Sequence, residues 1–393
     1  MATNFFAAAK AIETDVITWR RQIHENPELG FAEYETSAFV EKKLREFGYT
    51  PQRVGDTGLA AVLEGKKGPG KTFALRADMD ALPGDEKTGL PFASKNKGVM
   101  HSCGHDVHTA ILLGVAKLLA QCSNDFAGRI KFFFQPAEET LGGAKTFVAA
   151  GELDNVDGVA ALHVMTDIET GCIAARKGVA LAATDRLDIT ISGKAAHGAQ
   201  PHRGIDAMVV AAHIITSLQT VVSRTVAPLD SVVLTLGKIQ GGFAPNVIPS
   251  EINIEGTLRS LCAETRIVVL ERIQKILKNT AAAFGATASL EITEGTPPLV
   301  CNDLWVDRLR RVAGAYIPEA NIRDLPAPSM GGEDFAFMLQ KAPGVFWRLG
   351  ARAKGTPQTH THSATFVADE EALVYGVAIS CALAIDAVLD NCG

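Results

Sequence analysis

RLDITISGKAAHGAQPH, residues 186–202, marks a change in the texture of the chain and decides its domain plan. Leu187, Ile189 and Ile191 alternate with Asp188, Thr190 and Ser192, the period-two pattern of a strand with one buried face. Beyond it come a helical pattern from Ile205 to Thr220 and two more alternating strands, SVVLTLGKIQGG (231–242) and EINIEGTLRS (251–260). A helix near Glu264 to Phe284 and a last strand, TASLEITEG (287–295), follow. This β-α-β-β-α-β order predicts a split βαβ, ferredoxin-like α+β domain over residues 184–294.

Outside that segment the pattern differs. From Phe5 to Phe47 apolar residues recur at helical spacing and are interrupted at NPELG (26–30), which predicts two helices around a loop. LAAVLEG (59–65), TFALRADMDALP (72–83), HTAILLGVAKLLAQC (108–122), GRIKFFFQPAEE (128–139) and GVAALHV (158–164) then alternate between strand and helix textures. Such alternation predicts an α/β domain with a mainly parallel sheet and helices on both faces. After TPPLV (296–300) helix and loop texture resumes, ending in a long apolar helix from Glu370 to Leu389. The first domain is therefore expected to be discontinuous, 1–183 and 295–393, with the second inserted into it.

Composition narrows the function classes. The formal charge of -6 is mild, and no Lys/Arg cluster forms the basic stripe that nucleic acid requires, so nucleic acid is not an expected partner. No window is expected to reach about 18 uncharged apolar residues, and the N-terminus lacks the basic-then-apolar layout of a secretory signal. No membrane association and a cytoplasmic location are the resulting expectations. The seven cysteines are odd in number and scattered from Cys103 to Cys392, which argues for reduced thiols.

The residues that carry chemistry sit where apolar runs end. In VMHSCGHDVHTAILLG (99–114), Cys103 and His105 stand at i and i+2; in an extended or loop segment both reach one point, as a shared metal would need. A buried cysteine beside a helix-capping histidine is the plainer reading of the tripeptide alone. FFFQPAEE (132–139) delivers the adjacent carboxylates Glu138 and Glu139. A helix dipole could tolerate them, or one could bind a cation while the other takes a proton from water. His163 closes GVAALHV, and His362 lies in THTHSATFVADE (359–370) with His360 close by. Either histidine could be a structural hydrogen-bonder. Taken together, Cys103, His105, Glu139, His163 and His362 are expected to converge at one crevice, since strand ends do so in open α/β sheets. Mixed S, N and O donors suit Zn, Mn, Co or Ni, and five of them suit two divalent transition-metal ions better than one. Asp78 and Asp80 share a face of RADMDALP (76–83): they could be surface caps, or Asp80 could accept the second ring proton of a ligating histidine.

RRQIHENPELGFAEYET, RADMDALP, MHSCGHDVHTA, FQPAEE, HGAQPHRGIDA, GGFAPNVIP, GTLRS, MGGEDFAFM and HSATFVADE occur in one order along nearly the whole chain. Together they resemble the di-metal aminoacylase and carboxypeptidase family, in its amidohydrolase branch of hippurate and auxin-conjugate hydrolases. The resemblance implies a di-metal exopeptidase-like catalytic domain in which Cys103, His105, Glu139, His163 and His362 are the ligands. Glu138 would be the general base and Asp80 a partner behind a metal-bound group. It also implies that residues 184–294 form a lid and dimerisation domain. There His197 would reach a neighbouring subunit's site to steady the oxyanion, and Asn246 and Arg259 would face the substrate. The implied reaction is amide hydrolysis of an N-acyl amino acid by a homodimer or dimer-based oligomer. The alternatives are a dipeptidase or carboxypeptidase, and a non-catalytic binding protein of the same fold. Thr140, Leu141, Gly198 and Ala207 depart from the family pattern around the lid and pocket but leave every implied ligand in place. His197 could also be a plain loop residue and Arg259 could pair a structural carboxylate. His24 is read as structural, packing between helices, and His101, His108, His202, His213 and His360 carry no assignment.

Overall fold

A computed structural model describes residues 4–389, so Cys392 lies outside the described residues. The N-terminal periodicity yields three helices rather than two: α1 (Phe5–Ala11), α2 (Glu13–Glu25) and α3 (Tyr34–Glu46). The extra break falls at Ile12, where the backbone leaves helical geometry and its N–H turns back to the Ala9 carbonyl. Then follow β1 (Gln52–Val54), β2 (Gly58–Glu64), β3 (Thr72–Asp78), α4 (His105–Leu119), β4 (Arg129–Gln135), α5 (Gly143–Ala149), β5 (Gly158–Glu169) and β6 (Ile173–Ala175). Next come β7 (Ala183–Ser192), α6 (Ala207–Thr225), β8 (Val232–Gly241), β9 (Glu251–Ser260), α7 (Ala263–Ala283) and β10 (Thr287–Glu294). The chain ends with α8 (Asp303–Ala313), β11 (Ile322–Asp324), β12 (Gly344–Arg352) and α9 (Ala372–Leu389).

These elements form two compact units. The first comprises Met1–Ala180, Val300–Ala327 and Glu333–Gly393, the second Leu181–Leu299 with Pro328–Gly332. In the first, eight strands order as β1-β2-β4-β3-β5-β12-β6-β11. The central four, β4, β3, β5 and β12, are mutually parallel, while β2 and β6 run antiparallel to their neighbours β4 and β12. Strands covered on both faces read as continuous apolar runs, which is why Phe132, Phe133 and Phe134 are all fully buried in succession. Helix α4 is buried along nearly its whole length and packs against α9, where Gly376 lets the backbone approach Ile111.

Among the described residues two helices, α6 and α9, are long and apolar enough to span a membrane, although each includes a charged residue, Arg224 and Asp386. The best window of α9 is 72% buried inside the protein, the setting of a core helix, and α6 lays an apolar stripe on the sheet of its own unit.

That sheet, in the second unit, has the order β8-β9-β7-β10 with every pairing antiparallel. Leu187, Ile189 and Ile191 of β7 and Ile252, Ile254 and Leu258 of β9 point to one face. Onto it α6 packs Val210, Ile214, Leu218 and Val221, and α7 packs Val269, Ile273, Leu277 and Ala281, a stripe at four-residue spacing. Full burial of such Leu, Ile or Val side chains stabilises by roughly 1.5–3 kcal/mol each. The alternating pattern at 186–192 could satisfy itself only in a sheet with one covered face.

Candidate metal centre

Of the extended and loop geometries the spacing allows, Cys103 and His105 meet through a turn. Gly104 between them has φ +91 and serves as the N-cap of α4, so His105 is already the first helical residue. A Cβ at Gly104 would stand 2.4 Å from Val164 Cγ2, so conformation and space both require glycine. His105 donates Nδ1–H to Asp80 Oδ1 at 3.1 Å, which turns its Nε2 toward the other donors, buried and without a hydrogen-bond partner. Asp80 is itself buried and accepts the Glu139 backbone N–H through its other oxygen. It is therefore no surface cap, and it ties β3, α4 and the glutamate turn together.

Glu138 and Glu139 lie in a turn after β4, ahead of α5, so no helix dipole supports them. Their turn is held by backbone in the left-handed region at non-glycine residues on both sides, Ala137 (φ 53) and Leu141 (φ 59). Such strain persists only where surroundings enforce it, and here Glu33 accepts the Ala137 N–H. Glu139 Oε1 lies 3.3 Å from His362 Nε2 and 3.9 Å from His105 Nε2, yet has no partner in hydrogen-bond geometry.

His163 stands inside β5, not at its end, but beyond the point where the β5–β3 ladder stops at Ala161. Its Nδ1–H donates to the Val164 carbonyl and its Nε2 faces Cys103 Sγ at 3.3 Å. His362, also left-handed (φ 62), is pinned by its N–H to the Ser102 carbonyl, one residue before Cys103. Ligand atoms within three overlapping groups, Cys103–His105–His163, Cys103–Glu139–His362 and His105–Glu138–Glu139, lie within 4.8 Å of one another. The five expected donors are thus brought together with Glu138 at their edge. Two buried atoms without a hydrogen-bond partner, His105 Nε2 and Glu139 Oε1, converging beside a thiol and two imidazoles, fit a divalent transition-metal cation that would displace any proton from the ring.

The electrostatics point the same way. Burial pushes the Cys103 thiol up to about 12, so it needs a cation to become a thiolate. Burial, then the neighbouring Glu333 and Asp334 carboxylates, raises Glu138 well above the ordinary carboxylate range. For His105, burial opposes the charged ring, but Asp78 and Cys103 outweigh it and raise its pKa.

Several functional neighbours escaped the sequence reading. Asp78 is buried and accepts Nδ1–H of His108 at 2.6 Å, while His108 Nε2 accepts the Val164 N–H. His108, three residues after His105 on α4, thereby links β3 to the strand carrying His163. Arg76 binds Asp78 at 2.7 Å and Glu333 and Asp334 at 3.0 Å each. The available signals were the i, i+3 spacing of the two histidines and the acidic pair in MGGEDFAFM.

His197, Asn246 and Arg259 belong to the second unit. His197 pairs with Val247 in a short ladder, the Gly198 N–H bonds the Asn246 carbonyl at 2.7 Å, and His197 Nδ1 accepts the Ala199 N–H. His197, in a two-residue strand, and Asn246, in the turn before the paired strand, are therefore neighbours and both exposed. Arg259, on β9 opposite Thr184 and Val233, has no carboxylate partner among the described residues.

Residues 74–386 match the model of peptidase family M20/M25/M40. The chain is 44% identical over 365 residues to an N-acetyl-L-cysteine deacetylase of Bacillus subtilis, covering 92% of this chain and 86% of that protein. It is also 44% identical over 294 residues to an N-acyl-L-amino acid amidohydrolase of Geobacillus stearothermophilus, covering 74% and 79%. Among solved structures it superposes on the Bacillus subtilis YXEP protein, described as a dinuclear metal binding peptidase from the M20 family. The TM-score is 0.83 and the identity 34%, covering 96% of this chain and 99% of that one.

Proposed function

The chain belongs to peptidase family M20/M25/M40, a family of hydrolases, and we propose that it cleaves the amide bond of N-acyl amino acids, releasing a carboxylate and a free amino acid. The names of the two 44%-identical relatives support this substrate class. The observation that carries the reaction type is Glu138: a buried carboxylate at the edge of the five-donor cluster, with no side-chain donor bound to it. A binding protein of this fold would have no use for it.

Cys103, His105, Glu139, His163 and His362 would hold two divalent ions, Zn, Mn, Co or Ni, which supply Lewis acidity to polarise the amide carbonyl and activate water. Glu138 takes a proton from the attacking water at a carboxylate oxygen. Its burial beside Glu333 and Asp334 keeps that proton near the reacting atoms until the amine nitrogen receives it. Asp80 fixes the His105 ring with Nε2 pointed at the site. From the second unit, acting as a lid, His197 would donate to the oxyanion, Asn246 would line the substrate and Arg259 would fork a substrate carboxylate. A homodimer through this unit belongs to the same reading. In its support, β8 is an edge strand, and Ile239, Phe243, Met208 and Val209 leave apolar surface exposed on this unit. A cytoplasmic setting is proposed on the unpaired state of all six described cysteines.

The test is a panel of acetyl, benzoyl and indolylacyl amino acids beside dipeptides, run on metal-loaded, chelated and refilled protein. Turnover of acyl amino acids that vanishes on chelation and returns with metal is expected. Preference for dipeptides would instead select peptide-bond cleavage, the second reading, which the peptidase description of the solved relative favours. Full turnover in metal-free protein would overturn the mechanism.

A further inference from the structure

Two guanidinium groups share one face of the first unit's sheet, and only one of them has protein anions to hold. Arg76 on β3 is fully buried and saturated by Asp78, Glu333, Asp334 and Gln135. Arg348 on β12 stands in direct register with His163 on the parallel neighbour β5, and paired positions of adjacent strands place their side chains on the same face. Phe346, two residues earlier on that face, has its ring 6.3 Å from that of His163 and carries the Arg348 guanidinium 4.8 Å from its centroid. A ring holds a cation in place without neutralising it.

Arg348 forms no hydrogen bond or ion pair with any described residue; Glu333 and Asp167 act on it only through space. It is partly buried, and none of its nitrogens is among the sealed, unpartnered polar atoms of the protein. The guanidinium is therefore desolvated in part, fixed on an aromatic platform, reachable from solvent and aligned with a donor of the metal centre. Burial of a cation without a contacting counter-charge is costly, and no described carboxylate touches this one. We propose that Arg348 is a specificity residue that takes a carboxylate of the substrate in its planar fork. This rests on the N-acyl amino acid reading and names a charge that the catalytic unit itself would recognise. The carboxylate is either that of the amino acid or one carried by the acyl group.

The experiment compares wild type with Arg348→Met on N-acetyl-L-methionine, its carboxamide, and N-succinyl-L-methioninamide. Metal content is measured, and affinity is obtained by calorimetry in a Glu138→Gln background where the ligands stay intact. Loss of a charge-assisted fork should raise KM and Kd about 10- to 100-fold for the compound bearing the recognised carboxylate, with the uncharged carboxamide unaffected. A loss confined to N-acetyl-L-methionine assigns the amino-acid carboxylate, and one confined to the succinyl compound assigns the acyl carboxylate. Should Arg348→Met not fold, Arg348→Lys is expected to keep the preference for charge with a weaker KM. Equal losses on charged and uncharged compounds, unchanged affinity for all three, or loss of metal would overturn the assignment. Failure of wild type to bind or cleave any of them would instead overturn the N-acyl reading, and Arg348 with it.

Discussion

Glu138 and Glu139 are identical in chemistry and adjacent in sequence, and their surroundings separate them. Burial beside Glu333 and Asp334 raises Glu138, whereas Glu139, although burial opposes it, is lowered by His362 and His105. Glu138→Gln is therefore expected to retain metal and lose turnover by about 100-fold or more, as for loss of a general base. Glu139→Gln should weaken metal binding itself. Equal metal loss in both, with excess metal rescuing both, would exclude the division of roles. Cys103 gives a pH signature. A thiol pushed up to about 12 must release its proton to bind a cation, so metal affinity should tighten as pH rises from 6 to 8. Calorimetry in buffers of differing ionisation heat should count about one more proton released by wild type than by Cys103→Ser. Equal proton counts would remove Cys103 from the ligand set.

At the scale of elements, the site depends on how the first turn of α4 is anchored. Asp106, next to His105, accepts from Arg20 Nε at 2.7 Å and His24 Nδ1 at 2.8 Å, both on α2, and His24 Nε2 reaches Glu86 at 3.3 Å. The reading of His24 as structural agrees with this placement. Burial disfavours the charged ring, but Asp106 and Glu86 raise His24 to about 9, above its ordinary 6.5. A raised folded-state pKa gives stability that is fully present below about 6.5 and is lost as pH climbs through about 9. His24→Gln should thus be most destabilising near pH 6, by up to the order of 3 kcal/mol, and progressively less so toward pH 10. Urea melts of both proteins across that range check it; a pH-independent difference would exclude the charged pair. In the same turn, Gly104→Ala imposes a left-handed alanine against Val164, and about 2 kcal/mol or more of destabilisation with reduced metal retention is expected.

At the scale of the whole molecule, the question is whether His197 serves its own chain or a neighbouring one. His197→Ala should leave metal content intact and lower turnover more than it raises KM, as for a contact made mainly in the transition state. Mixing inactive His197→Ala with inactive Glu138→Ala under subunit exchange tests the arrangement. A trans-acting histidine gives each mixed dimer one site with both residues intact, and activity should return toward half of wild type per mixed dimer. Verified exchange without recovery would remove the trans role. Normal turnover in the single variant would remove His197 from the mechanism.

Periodicity was legible in the sequence because it is a local property. Alternation at Leu187, Ile189 and Ile191 specified a one-faced sheet, the Phe132–Phe134 run specified a two-faced one, and the residue types of the donors announced soft-metal chemistry before any geometry existed. Other features depend on neighbours distant in the chain. Asp78 and Asp80 look alike in RADMDALP, and only α4 packed over β3 gives one to His108 and the other to His105. Cys103 and His105 meet through a left-handed glycine, not through strand alternation, because Val164 of another strand fills the space a side chain would need. Arg76 and Arg348 are indistinguishable as letters. Tertiary packing surrounds the first with carboxylates and sets the second on a phenylalanine ring without one, since a side chain's charge environment is fixed by which strand ends are brought together, and that is written in no local stretch of the chain.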